Sequence, residues 1–91
     1  MAKFKIKIIK YAQNDIQDIV DYINTLSPTA AIKQYDNLIE KIGSLAEMPE
    51  RCAFLKDTNL RLKGYRSLVV DNYLVFFVVK NGTVQIRRIL Y

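Results

Sequence analysis

Histidine is absent from these 91 residues, which leaves arginine, lysine and tyrosine as the side chains able to carry chemistry. Histidine is the usual group that titrates near neutrality. Its absence excludes Cys/His metal clusters and any triad built on an imidazole base. The carboxylates fall mostly outside the apolar stripes of two helical segments, an arrangement that does not suit a two-carboxylate glycosidase. Gly43, Gly64 and Gly82 are too scattered to form a phosphate-binding loop. Cations and tyrosines do suit a phosphodiester, because they stabilise charge that accumulates on phosphorus oxygens during attack by a ribose 2′-hydroxyl. Lysine or tyrosine would need a depressed pKa to act as the base, whereas arginine would act electrostatically.

The candidate cations lie in the stretch GYRSLVVDNYLVFFVVKNGTVQIRRILY, residues 64–91. Three apolar strands are separated there by Asp71-Asn72 and Asn81-Gly82, pairs suited to two-residue type I′ turns. With those turns, Val70 pairs with Tyr73, Leu68 with Val75 and Arg66 with Phe77. On the other side, Lys80 pairs with Thr83, Phe77 with Ile86 and Val75 with Arg88. Directly paired residues share a face, so this register places Arg66, Tyr73 and Arg88 together. Two cations across an apolar strand call for water or an anion. The competing role for each arginine is an ion pair with a helix acid. Arg87 falls on the opposite face beside Phe76, in a packing or ion-pair role. Tyr65 and Tyr73 serve as core aromatics or as stacking platforms.

The rest of the chain has to position this meander. Phe4, Ile6 and Ile8 alternate with Lys3, Lys5 and Lys7, the period of a strand with one wet face. From Ala12 the period changes: Ile16, Ile19, Val20, Ile23 and Leu26 form a helical stripe, with Asp15, Asp18 and Asp21 outside it. Asp15 near the helix start complements the dipole. Ser27-Pro28 restarts a helix, with serine as cap and proline in the first position. Ala31, Tyr35, Leu38, Ile39, Ile42, Leu45 and Ala46 continue its stripe until Pro49 disfavours helical backbone at Met48. Residues 49–63 read as loop, carrying Arg51, Lys56, Arg61 and Lys63. The expected fold is α+β, one domain over residues 1–91 in the order β-αα-βββ. A four-stranded antiparallel sheet is covered on one face by the N-terminal helical hairpin.

Charge is unevenly distributed. Residues 1–11 hold four lysines and no acid, residues 12–50 two lysines against seven acids, and residues 51–91 eight cations against two acids. The net charge of +5 therefore hides a cationic sheet backed by acidic helices, a polarity that fits nucleic acid or an acidic protein surface. No apolar run approaches a membrane span and no secretory signal is visible. The lone Cys52 fits a reducing compartment and reads as a small packed residue.

In order and spacing, the pieces Ala12-x-x-Asp15-Ile16-x-x-Ile19-x-x-Tyr22-Ile23, Pro28/Ala30-Ala31, Leu45-x-x-x-Pro49, Gly64-Tyr65-Arg66, Asn72-Tyr73-x-Val75-x-Phe77 and Val84-x-Ile86-x-Arg88-Ile89-Leu90-Tyr91 resemble the RelE/ParE superfamily of bacterial type II toxins. The resemblance implies the same β-αα-βββ fold, a cytoplasmic location and no cofactor. It also implies a cognate antitoxin, expected to lay an amphipathic helix on apolar surface and to bring acids near Arg66 and Arg88. RelE-like members cleave messenger RNA in the ribosome; ParE-like members poison DNA gyrase without known nuclease chemistry. The leading expectation is a ribosome-dependent, metal-free messenger ribonuclease, with Arg66, Arg88 and Tyr91 as catalytic candidates. Arg61, Lys63 and Tyr73 are then the RNA- or target-binding candidates, and gyrase poisoning is the alternative. Two departures count against catalysis by these residues. Many relatives continue past the Tyr91 position into Gly-Arg-Arg-Asp, and Leu74 stands where messenger-cleaving relatives carry an arginine.

Overall fold

The computed structural model describes residues 3–91. Its elements are β1 (Lys5–Ile8), α1 (Lys10–Leu26), α2 (Pro28–Gly43), α3 (Thr58–Leu62), β2 (Arg66–Val70), β3 (Tyr73–Lys80) and β4 (Thr83–Leu90). The α+β architecture and the pairing of a helical hairpin with a four-stranded sheet match the sequence expectation. Sheet order is β1-β4-β3-β2. One detail differs, because β1 runs parallel to β4, with Lys5 opposite Thr83 and Ile8 opposite Ile86. The helical connection carries the chain back across the sheet before the meander begins, so the two strands run the same way.

The helix junction forms as its residues dictate. Ser27 Oγ accepts from the Ala30 N–H at 3.2 Å and Pro28 occupies the first turn of α2. The α-helix ends at Gly43, ahead of Pro49; the chain then tightens into a 3-10 turn at Ser44–Ala46, and Met48 is left-handed, φ 52°, immediately before Pro49. Residues 49–63 are more ordered than the loop expected of them. They form a 3-10 turn at Pro49–Arg51 and the short α3, whose Asp57 side chain accepts from Leu60 N–H at 3.0 Å. Five residues of helix are too few to show a periodic pattern, whereas the Asp-x-x-Leu cap is a local signal.

Ala12, Ile16, Leu38, Ile42 and Leu45 from the helical side meet Val75, Phe77, Val84, Ile86 and Ile89 from the sheet. Phe77, Val75, Val84 and Ile86 are fully buried at the centre. Fully burying side chains of this kind contributes about 1.5–3 kcal/mol each. Asn81 and Gly82 both have positive φ, as a type I′ turn requires. In the other turn only Asp71 does, so that turn is not type I′. Its carboxylate accepts from Asn37 Nδ2 at 2.6 Å and Gln34 Nε2 at 3.2 Å, tying the turn to α2.

The register agrees with the sequence reading except at one place. Val70–Tyr73, Leu68–Val75, Arg66–Phe77 and Phe77–Ile86 pair as expected. Beyond Ile86 a β-bulge intervenes: Phe76 pairs with Arg88 and Val75 with Ile89, leaving Arg87 as the extra residue. The expected Val75–Arg88 pair does not form. A regular register would turn Arg88 toward the helices and Ile89 toward solvent. The bulge keeps Ile86 and Ile89 in the core, avoiding the burial of a cation.

Candidate functional site

Because of the bulge, the sequence-predicted residues separate. Arg66 follows the helix-facing parity of Leu68 and Val70, whereas Arg88 pairs with Phe76 on the other parity. Arg66 and Tyr73 keep the expected common parity while Arg88 leaves it, and each of the three belongs to a different local arrangement.

Arg66, at the start of edge strand β2, is half-buried and internally engaged. Its Nη1 donates to the carbonyls of Cys52 at 2.6 Å and Glu50 at 3.1 Å. Its guanidinium carbon lies 3.9 Å from the ring centroid of Phe54, a cation–π stack. Phe54 also forms a β-bridge with Arg66, and Leu55 N–H donates to the Tyr65 carbonyl at 3.0 Å. The residue thus clamps the 50–55 segment against the sheet edge.

Arg88 is held by α1. Asp15 Oδ2 accepts from Arg88 Nε at 2.7 Å and from the Ile89 backbone N–H at 2.9 Å, while Oδ1 accepts from Arg88 Nη2 at 3.1 Å. Burial works to raise the Asp15 pKa, but the Arg88 and Ile89 hydrogen bonds and the Arg88 charge outweigh it and hold the carboxyl below its ordinary value. The same hydrogen bond and charge raise the Arg88 pKa. Because α1 begins at Lys10, Asp15 lies beyond its first turn and does not complement the dipole as expected; it instead satisfies an N–H of β4 beyond the stretch that β1 covers.

Tyr73 and Tyr91 are brought together, edge to face, with centroids 5.6 Å apart and planes at 72°. With Asp18, Ile19 and Tyr22 of α1 they line an open cleft of about 500 Å³. Burial, followed by the fields of Tyr91, Asp71 and Tyr22, raises the Tyr73 pKa. That direction is opposite to the one a phenolate base requires.

Arg61 and Lys63, on and just after α3, are exposed. Leu60 of that helix joins Leu55, Tyr65, Phe76, Arg88 and Leu90 around a smaller cleft of about 270 Å³ on the sheet face away from the hairpin. Among the described residues, no group of three or more histidines, cysteines or acids is placed to hold a metal ion. No helix among them is long and apolar enough to cross a membrane.

Sequence reasoning missed Asp15 as the partner of Arg88, Phe54 as the partner of Arg66, and the contribution of Asp18 and Tyr22 to the aromatic cleft. A signal existed for α1. Tyr11, Asp15, Asp18 and Tyr22 recur at three- and four-residue intervals, so they fall along one helix face beside the apolar stripe.

The family model described as "ParE toxin of type II toxin-antitoxin system, parDE" matches residues 6–91. The chain belongs to this ParE toxin family. Among solved structures, a chain of the "Chromosomal ParDE TA system from P. aeruginosa" superposes with a TM-score of 0.81. It is 24% identical, and the match covers 99% of this chain and 97% of that one. At this identity the likeness is one of fold. Among curated proteins, none matches the sequence significantly.

Proposed function

We propose that the chain is the toxin of a ParDE-type pair and that it acts as a stoichiometric protein binder, with DNA gyrase as its target. Family membership favours this reading over the messenger ribonuclease expected first. The observation that carries it is the internal engagement of both candidate phosphate-binding arginines. Arg66 donates to two backbone carbonyls and Arg88 is chelated by Asp15, with the two on opposite sheet parities. An RNA-cleaving site would need converging, unengaged cations and a base poised near neutrality. The raised pKa of Tyr73 supplies no such base.

A cognate antitoxin is the second partner in this proposal. Ile32, Tyr35 and Ile39 recur at helical spacing along α2 and remain exposed, the last two bordering a cleft against α1. This is the kind of face an amphipathic helix covers. Arg88 already meets the Asp15 carboxylate, whereas Arg66 meets only neutral carbonyls and the Phe54 ring and keeps a charge that an acidic antitoxin side chain could meet.

The test is to induce the chain in cells and map messenger 5′ ends alongside gyrase-linked DNA breaks. DNA breaks with intact messengers are expected. Codon-phased messenger cuts without gyrase-linked breaks would overturn the proposal in favour of the ribonuclease.

A further inference from the structure

The cleft between α1 and the end of β4 is aromatic and carries one carboxylate, on a protein of net charge +5. Three of its five lining residues are tyrosines, Tyr22, Tyr73 and Tyr91, and a fourth is Asp18. Aromatic faces carry negative quadrupole charge, and a carboxylate beside them adds a full one. Asp71 also lies close enough to act on Tyr73. Among the described residues, the Asp18 carboxylate has no side-chain or backbone donor and no salt-bridge partner. Its neighbour one turn earlier on the same helix, Asp15, already holds an arginine through Nε and Nη2. The molecule therefore contains both halves of a guanidinium site in use elsewhere: a bidentate carboxylate at Asp15 and a stacked ring at Phe54, 3.9 Å from Arg66. At Asp18 the carboxylate and the rings are assembled without the guanidinium.

We propose that the cleft formed by Asp18, Ile19, Tyr22, Tyr73 and Tyr91 receives an arginine side chain from a protein partner. The guanidinium lies against a tyrosine face and donates to Asp18, while Ile19 packs on its aliphatic stem. Arginine fits better than lysine because a planar fork can stack and bind a carboxylate at once, whereas an ammonium is a strongly hydrated point charge. A side chain on a polypeptide fits better than free arginine for two reasons. Tyr22 and Tyr91 are 66% and 87% exposed, so the cleft is open rather than enclosing. A free α-carboxylate would also meet Asp18 and the tyrosine faces unfavourably. On a chain of net charge +5, a carboxylate set among tyrosines would help fix the register of a partner that presents an arginine there. The site goes beyond the gyrase reading and stands whichever target the toxin engages.

The test is a titration of the purified, isotopically labelled full chain with the blocked tripeptide acetyl-Gly-Arg-Gly-amide, followed by backbone amide NMR. Saturable shifts are expected at residues 18, 19, 22, 73 and 91. The citrulline tripeptide, which keeps the shape and loses the charge, should bind about two- to fivefold more weakly, the range for one exposed ion pair. Asp18→Asn should weaken the arginine peptide to a similar degree while leaving the rest of the spectrum in place. Tyr22→Ala should weaken it and Tyr22→Phe should not. The proposal is overturned by shifts that do not saturate, by equal binding of the citrulline peptide, or by an Asp18→Asn protein that binds normally. Tighter binding of the lysine peptide or of free arginine overturns the choice of ligand.

Discussion

Replacing Asp15 tests the connection between the helical hairpin and the end of the sheet. Its side chain is only 13% exposed, and its Oδ2 accepts from both Arg88 Nε and the Ile89 N–H. A backbone N–H bonded to a carboxylate contributes about 1.5–3 kcal/mol, and leaving that N–H unmatched forfeits most of it. Arg88 is 49% exposed, so its share is that of a screened surface pair and adds little. Asp15→Ala should thus destabilise the chain by about 2 kcal/mol. Asp15→Asn, whose amide oxygen can still accept from Ile89, should cost about half of that. For a domain of this size, 2 kcal/mol lowers Tm by about 8–16 °C. The folded-state pKa of Asp15 is depressed, so its ionisation stabilises the fold above the unfolded-chain value and ceases to do so as pH falls through the folded value. Thermal melts followed by circular dichroism at neutral pH and under increasing acidity should show wild type and Asp15→Asn converging in acid. A Tm for Asp15→Ala within about 2 °C of wild type at neutral pH would refute the reasoning, since it corresponds to well under 1 kcal/mol. A wild-type advantage over Asp15→Asn that survives full protonation would refute it equally.

Arg66→Lys should lose the two-carbonyl clamp and the stack on Phe54, destabilising by about 1–2 kcal/mol in denaturant titrations, whereas a residue reserved for RNA would be replaced at no cost to stability. Deleting Arg87 leaves Ile86, Arg88 and Ile89 in strict alternation. The deletion should fold with stability within about 1 kcal/mol of wild type, because both isoleucines remain in the core without a bulge. A Tm more than about 10 °C lower would show that the bulge itself is required. Phe77→Ala empties the fully buried centre of the sheet and should cost about 3–5 kcal/mol, read as a loss of cooperative melting or a large fall in Tm. Gly82→Ala places a Cβ at φ +75° and should cost about 1 kcal/mol, measured in the same melts.

Local rules carried the sequence reading a long way. Alternation in residues 4–8, the helical stripes on either side of Ser27-Pro28, and the Asp71-Asn72 and Asn81-Gly82 turns each depend on residues a few positions apart. The elements and most of the meander register were therefore legible from the sequence by itself. The resemblance in motif order added the toxin superfamily, which the family match narrowed to ParE. The tertiary structure decided whatever required choosing between two local solutions. Strict alternation and burial of Ile89 cannot both hold across Arg87-Arg88, and only packing against the hairpin shows that burial prevails, through a bulge. Strand direction for β1 depended on how the helical connection returns across the sheet. The partners of Arg66 and Arg88 lie 14 to 16 and 73 residues away along the chain, at Cys52, Glu50 and Asp15. No periodicity links residues so distant, so which cations are engaged became decidable only when the hairpin was folded onto the sheet.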